Sequence, residues 1–258
     1  MTKSELQGFL DEKAEYYETL NFIESDPIQI PHLFSKKEDI EISGFLAASI
    51  AWGQRKTIIR NARFLMEHMD MAPYDFISHF EDSDLDAFAN FKHRTFNFDD
   101  LKGFFTALQN IYRNHGGLES VFATHTEDMA ANISNFKKVF FKAEHLPRTH
   151  KHVSDPLKGS AAKRINMYLR WMVRSADKGV DFGIWNQVQP QHLYLPLDVH
   201  TANVSRQLGI LKRKQNDWKA LNELMTQLRS YDATDPVKYD FALFGLGVFE
   251  GFGKPKDK

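Results

Sequence analysis

Apolar residues recur at three- and four-residue steps through most of this 258-residue chain. In Asp99–Asn114, Leu101, Phe104, Phe105, Leu108 and Ile111 fall on one stripe of a 3.6-residue helix. The same periodicity predicts helices over Lys3–Leu20, Lys37–Ala51, Arg55–Met69, Phe98–Asn114, Thr126–Ala143, Ser160–Ala176, Asp198–Leu208, Asp217–Ser230 and Asp235–Phe249. Asp or Ser marks several starts, while Gly116–Gly117 and Gly209 mark ends. Strand-type alternation is nearly absent, with Thr95–Phe98 its best and short example. There is no internal repeat, and only the tail KPKDK reads as frayed. The pattern predicts an all-α protein. Asp177–Pro196, the least helical stretch of the second half, links a basic helix to the one beginning at Asp198. It suggests two helical lobes with a cleft near this connection. Residues 1–37 and 178–258 would form the lobe carrying Asp198, and residues 38–177 a barrel-like lobe carrying a hairpin and Lys163.

Composition narrows the function classes. With 42% hydrophobic and 26% charged residues the chain has enough apolar material for a sizeable core and is not disordered. The absence of cysteine excludes disulfides, thiolate zinc sites, cysteine-ligated iron–sulfur clusters and thiol nucleophiles. The longest apolar runs, Ala47 to Trp52 and Phe241 to Phe249, are short of the roughly 20 residues of a membrane span. The acidic, amphipathic N-terminus reads as neither signal nor transit peptide, so a soluble intracellular protein is expected. A net charge of -1 hides an asymmetry. Residues 1–30 hold two Lys against seven acids, whereas residues 142–174 hold eight Lys/Arg against two acids. The basic stretch is either a solvated face or a phosphate-binding one.

Four segments carry candidate chemistry. In DPLKGSAAKRINMYLRWMVR, Asp155-Pro156 opens a turn, Gly159 permits unusual backbone geometry, and Ser160 is placed to cap a helix. Lys163 and Arg164 then fall in its first turn, where cations cost roughly 0.3–1 kcal/mol each. Two readings explain this: a phosphate docks on the helix start, or a lysine amine is wanted there. The dipole, Lys158 and Arg164 would disfavour its charged form and leave a nucleophile. Snorkelling to solvent is the plain alternative. In HLYLPLDVHTANVSRQLGI, Asp198 is placed to cap a helix, and its carboxylate also suits deprotonating a nucleophile or stabilising a developing cation. In GFLAASIAWGQRKTIIRNARFL, Gln54 stands at a helix break with an amide that both donates and accepts. In DPVKYDFALFGLGV, Asp240 sits alone in an apolar helix and needs a partner or a ligand, with Phe244 one turn later. His150 and His152 form a His-x-His pair without a third ligand at metal spacing, so no metal and no cofactor is expected.

In this order the four segments resemble the helix-hairpin-helix superfamily of DNA base-excision glycosylases, over roughly residues 40–250. GSAAKRINMYL is similar to the hairpin end and following helix where lyase-competent members place the catalytic lysine, here Lys163. PLDVHTANVSRQLG resembles the VDTHV-type motif of the essential aspartate, here Asp198. FLAASIAWGQRKTII resembles the early helix pair with a lesion-site glutamine, here Gln54 beside Trp52. The insert between Lys163 and Asp198, with YDFALFGLG, is nearer the archaeal 8-oxoguanine glycosylase branch, whose base-contacting aspartate and aromatic would be Asp240 and Phe244. The stretch from His150 to Arg174 also resembles a bacterial family known from Bacteroidetes-type genomes. Two departures stand out. One hairpin glycine replaces the usual LPGVGxKTA pattern, and Phe244 stands where the archaeal branch has tryptophan.

The resemblance implies a monomeric glycosylase and abasic-site lyase acting on oxidised guanine in damaged DNA, in the bacterial cytoplasm at the nucleoid. Lys163 and Asp198 would be catalytic; Gln54, Asp240, Phe244 and Trp52 would recognise the base; Lys158, Gly159, Ser160, Arg164 and His200 would hold DNA. The alternatives are a catalytically silent nucleic-acid-binding protein on the same scaffold and an all-α interaction module without nucleic acid.

Overall fold

A computed structural model of the chain describes residues 1–125 and 127–253. Thr126, the expected start of one helix, and the KPKDK tail lie outside them. The helices are α1 (Lys3–Tyr17), α2 (Leu20–Ser25), α3 (Lys37–Ser49), α4 (Arg55–Glu67), α5 (Pro73–His79), α6 (Phe98–Asn114), α7 (Leu118–Phe122), α8 (Met129–Phe140), α9 (Lys163–Val173), α10 (Val199–Gln207), α11 (Trp218–Arg229) and α12 (Tyr239–Val248). Two two-residue strands, β1 (Lys92–His93) and β2 (Phe96–Asn97), pair antiparallel around the expected Thr95–Phe98 signal. The protein is predominantly helical, and among the described residues no helix is long and apolar enough to cross a membrane.

The boundaries follow capping chemistry. Thr2 and Glu5 form a reciprocal capping box on α1, as do Asn97 and Asp100 on α6. Asp128, Asp198 and Asp217 each accept a backbone N–H at the start of α8, α10 and α11. Ser160 does not cap α9 as its sequence position suggests. Its backbone bridges to Asp217 and its hydroxyl accepts the Ala162 N–H at 3.2 Å. Ala162 then turns left-handed, with φ 45°, and the helix begins only at Lys163.

The chain divides into two compact units, residues 1–22 with 156–258 and residues 23–155. This shifts both expected boundaries. Lys163 and its helix belong with Asp198 in the first unit, because the buried polar side of α9 and its C-cap Arg174 meet Glu18 just after α1, Asp181 of the following loop and Asp240 of α12. The second unit is held by a phenylalanine core in which Phe45, Phe104, Phe136 and Phe140 pack with centroids 4.8–5.9 Å apart. Burial of each such side chain contributes about 1.5–3 kcal/mol.

In the first unit α12 is almost wholly buried and packs against α1 and α10. Its two glycines permit that approach. A Cβ on Gly245 would overlap the Tyr17 ring of α1, and one on Gly247 would come within 3.0 Å of the His200 Cβ of α10. Gly8, on an exposed position of α1, has nothing within 4 Å of a Cβ. The two helix glycines therefore respond oppositely to one methyl group. Gly245→Ala should lose about 1–3 kcal/mol through overpacking. Gly8→Ala should gain up to about 1 kcal/mol from helix propensity. Thermal melts of the two variants check this, and equal shifts would show that α12 is not packed through Gly245.

Candidate active site

The α9 helix sets out a row of cations. Lys163, Arg170 and Arg174 lie at i, i+7 and i+11, within about 20° of one line along a 3.6-residue helix. Each meets carboxylates brought by other elements. Lys163 Nζ lies 3.4 Å from Asp198 Oδ2. Arg170 bonds Asp240 of α12 and lies 3.3 Å from Asp181. Arg174 bonds Glu18 at 2.6 Å, Asp181 at 2.7 Å and Asp235 at 2.8 Å. The Arg170 and Arg174 guanidinium carbons also sit 4.3 Å and 5.3 Å from the centre of the Phe241 ring. Arg170 and Arg174 are buried, so the basic stretch is not the uniformly solvated or phosphate-facing surface its composition suggests. Of its cations, Lys142, Arg148, Lys151 and Lys158 are exposed.

Asp198 divides its carboxylate between two tasks. Oδ1 accepts the Thr201 N–H at 2.9 Å and caps α10, while Oδ2 faces the Lys163 amine. Capping and chemistry are compatible because a carboxylate has two oxygens. The Lys163 side chain keeps 39% of its surface exposed, against 13% for Asp198, so the amine is open to a substrate while its partner is held from behind.

Asp240 completes the group. It is 4% exposed, one oxygen bonds Arg170, and Oδ1 has no hydrogen-bond partner among the described residues. Burial pushes its carboxyl up to about 7, against the pull of Arg170, and the charges of Asp198 and Lys163 both reach it. Two guanidinium groups here face four carboxyls, which favours one of those carboxyls keeping its proton. Phe244, one turn on, is half-buried and edge-on to Phe22 and Phe249, at 6.0 and 6.4 Å.

The hairpin ahead of α9 is pinned to α11. Gly159 adopts φ 88° with open space about its Cα, so the glycine serves the turn rather than a close contact. Its carbonyl accepts the Trp218 N–H at 3.0 Å. Asp217 caps α11 through Ala220 N–H and pairs with Arg213, which together hold its carboxyl well below the usual range. Asn166 Nδ2 donates to the Ala161 carbonyl at 2.9 Å and fixes the turn from within the helix. Lys158, Gly159 and His200 are exposed; Arg164 is half-buried, and burial lowers its guanidinium to about 10.

Gln54 and Trp52 belong to the second unit. Gln54 is exposed at the start of α4, where its side chain makes no capping bond. Trp52 is half-buried, stacked on His152 at 5.9 Å and edge-on to His93 at 4.9 Å, and its carbonyl accepts the His93 Nε2–H at 2.9 Å. The His-x-His pair does not converge: His150 Nε2 faces His145 at 2.9 Å, whereas His152 lies 3.3 Å from buried Asp100. Arg170, one of the eight cations of the basic stretch, is the functional residue that local sequence pattern does not single out. Its i+7 spacing from Lys163 was the available signal.

The chain belongs to the family described as protein of unknown function (DUF2400), whose profile matches residues 26–249. No curated protein and no solved structure matches it.

The raised Asp240 carboxyl has a consequence for stability. Its folded value lies above the ordinary carboxylate value, so its contribution is present at acid pH and is lost as pH rises through about 7. Asp240→Asn, which keeps an acceptor for Arg170, removes this loss. Relative to the parent, the variant should gain on the order of 2–4 kcal/mol between pH 5 and pH 8. A stability difference that stays constant over that range, measured by denaturant unfolding, would show that Asp240 is ionised throughout.

Proposed function

We propose that this protein is a DNA glycosylase and abasic-site lyase acting on oxidised guanine, with Lys163 as nucleophile. The observation that carries the reading is the Lys163 amine at 3.4 Å from Asp198 Oδ2, partly open to solvent, with buried Asp240 close enough to feel both charges. An amine beside a carboxylate that cannot swing away, being tied to Thr201, is suited to attack on a sugar carbon. The resemblance of both segments to glycosylase motifs supports the same roles.

In the proposed reaction the damaged nucleotide is flipped from the duplex, at a cost of a few kcal/mol. Asp198 takes a proton from the Lys163 ammonium, and the free amine attacks C1′ as the glycosidic bond breaks. The departing base takes the bonding pair and the proton that Asp198 had accepted, which returns Asp198 to a carboxylate that offsets positive charge growing on the sugar. Ring opening yields a protonated imine between Lys163 and C1′. Loss of a C2′ proton then expels the 3′ phosphate, and water releases the lysine. Asp240 accepts a ring N–H of the oxidised base through its unpartnered oxygen. Phe244 offers it an aromatic surface one turn after Asp240. Lys158, Gly159, Ser160, Arg164 and His200 hold the backbone.

The test is borohydride trapping on duplexes containing 8-oxoguanine or a preformed abasic site. The parent should give a covalent adduct with both. Lys163→Gln should reduce trapping at least about 1,000-fold on both, since an amide forms no imine. Asp240→Asn should depress base excision much more than cleavage at the abasic site, where no base remains to be read. A parent that binds DNA but never traps would favour the catalytically silent alternative, and equal loss of both activities in Asp240→Asn would remove it from base recognition.

A further inference from the structure

The second unit has a run of cations of its own. In α4, Ile58, Ala62, Leu65 and Met66 are buried, while Lys56, Arg60 and Arg63 lie exposed on the opposite side at i, i+4 and i+7. This row extends roughly 10 Å along the helix. The first turn carries Arg55 and Lys56, no acid and no side-chain cap, and Glu67 is the first acid, at the far end.

The β1–β2 hairpin lies beside α4, to which it is fastened. Asn61 donates to the Lys92 carbonyl at 3.3 Å and to His93 Nδ1 at 3.1 Å, and His93 in turn donates to the Trp52 carbonyl. The hairpin turn thereby reaches the start of α4. Arg94, held left-handed at φ 55°, lays its guanidinium beside Gly53, where an added Cβ would meet Nη1 at 3.0 Å. Lys56, Arg60, Arg63, Lys92 and Arg94 make no ion pair among the described residues. By contrast, Lys13, Lys102, Lys178 and Lys238 all do.

Three unpaired cations in one row, with Lys92 and Arg94 on the hairpin fastened beside it, make a local positive field that draws an anionic partner. The regular row favours a polyanion with a regular charge repeat. Duplex DNA carries one charge per 1.7 Å, or about six along the length of the α4 row. We infer that α4 and the β1–β2 hairpin form a DNA-backbone surface of the second unit, independent of sequence and distinct from the hairpin that precedes Lys163. The inference rests on DNA being the substrate.

The experiment uses the full chain, a short duplex with a stable abasic-site analogue, and binding by fluorescence anisotropy over a potassium chloride series. Lys56→Gln/Arg60→Gln/Arg63→Gln should weaken binding at least about tenfold at low salt. It should also flatten the slope of log affinity against log salt by up to about 2.7, at 0.9 per phosphate. Borohydride trapping at saturating protein on an authentic abasic site should persist. Each single Gln variant should show up to about a third of the slope change, which keeps the test sound if the triple variant folds poorly. Parent-like affinity and slope in these variants, with trapping intact, would overturn this surface while leaving the glycosylase reading in place. Competition by polyglutamate as effective as duplex at equal charge would also overturn it. A parent without salt-dependent duplex binding would remove both.

Discussion

The cation row of α9 is the constraint on which the first unit depends. Arg170 and Arg174 are buried, and removing charges from water costs several kcal/mol per ion unless geometry and hydrogen bonding compensate. The compensation comes from Glu18, Asp181, Asp235 and Asp240, on segments far apart in the chain. None of these segments can shift without stranding a charge. The open end of the same row is Lys163, the one member with solvent on one side. A rigid interior thus delivers a single amine to the surface, beside a carboxylate fixed by its own capping bond.

That arrangement gives the acids different characters without different chemistry. Asp198 sits at a helix start, with a backbone donor on one oxygen and the Lys163 amine facing the other. Asp240 is buried, with one oxygen on Arg170 and the other unpartnered among the described residues, and burial holds its proton until near neutrality. A neighbouring arginine orients the buried one as much as it charges it.

Much of this was legible before the structure. The i, i+3, i+4 stripe of α6 and the Asp caps of α10 and α11 were readable because local periodicity and capping are short-range effects. The placement of Lys163 at a helix start is also readable, although the sequence offers Ser160 as the cap and the left-handed Ala162 supplants it. What stayed hidden was long-range. Arg170 and Arg174 counted as surface charge because nothing local reports the acids that meet them from positions 18, 181, 235 and 240. The unit boundaries were misplaced for the same reason, since burial of those two arginines ties α9 to the C-terminal elements. The α4 row is in plain view as RKTIIRNAR, but only the fastening of the hairpin by Asn61 places Lys92 and Arg94 beside that helix.

The central claim is that one amine, at Lys163, becomes covalently joined to the sugar. Peptide mapping by mass spectrometry of the borohydride-reduced protein–DNA adduct tests it most directly, after nuclease trimming of the DNA. The account predicts the added sugar mass on the peptide containing Lys163, at that residue and no other. An adduct on the N-terminal amine or on another lysine would contradict it.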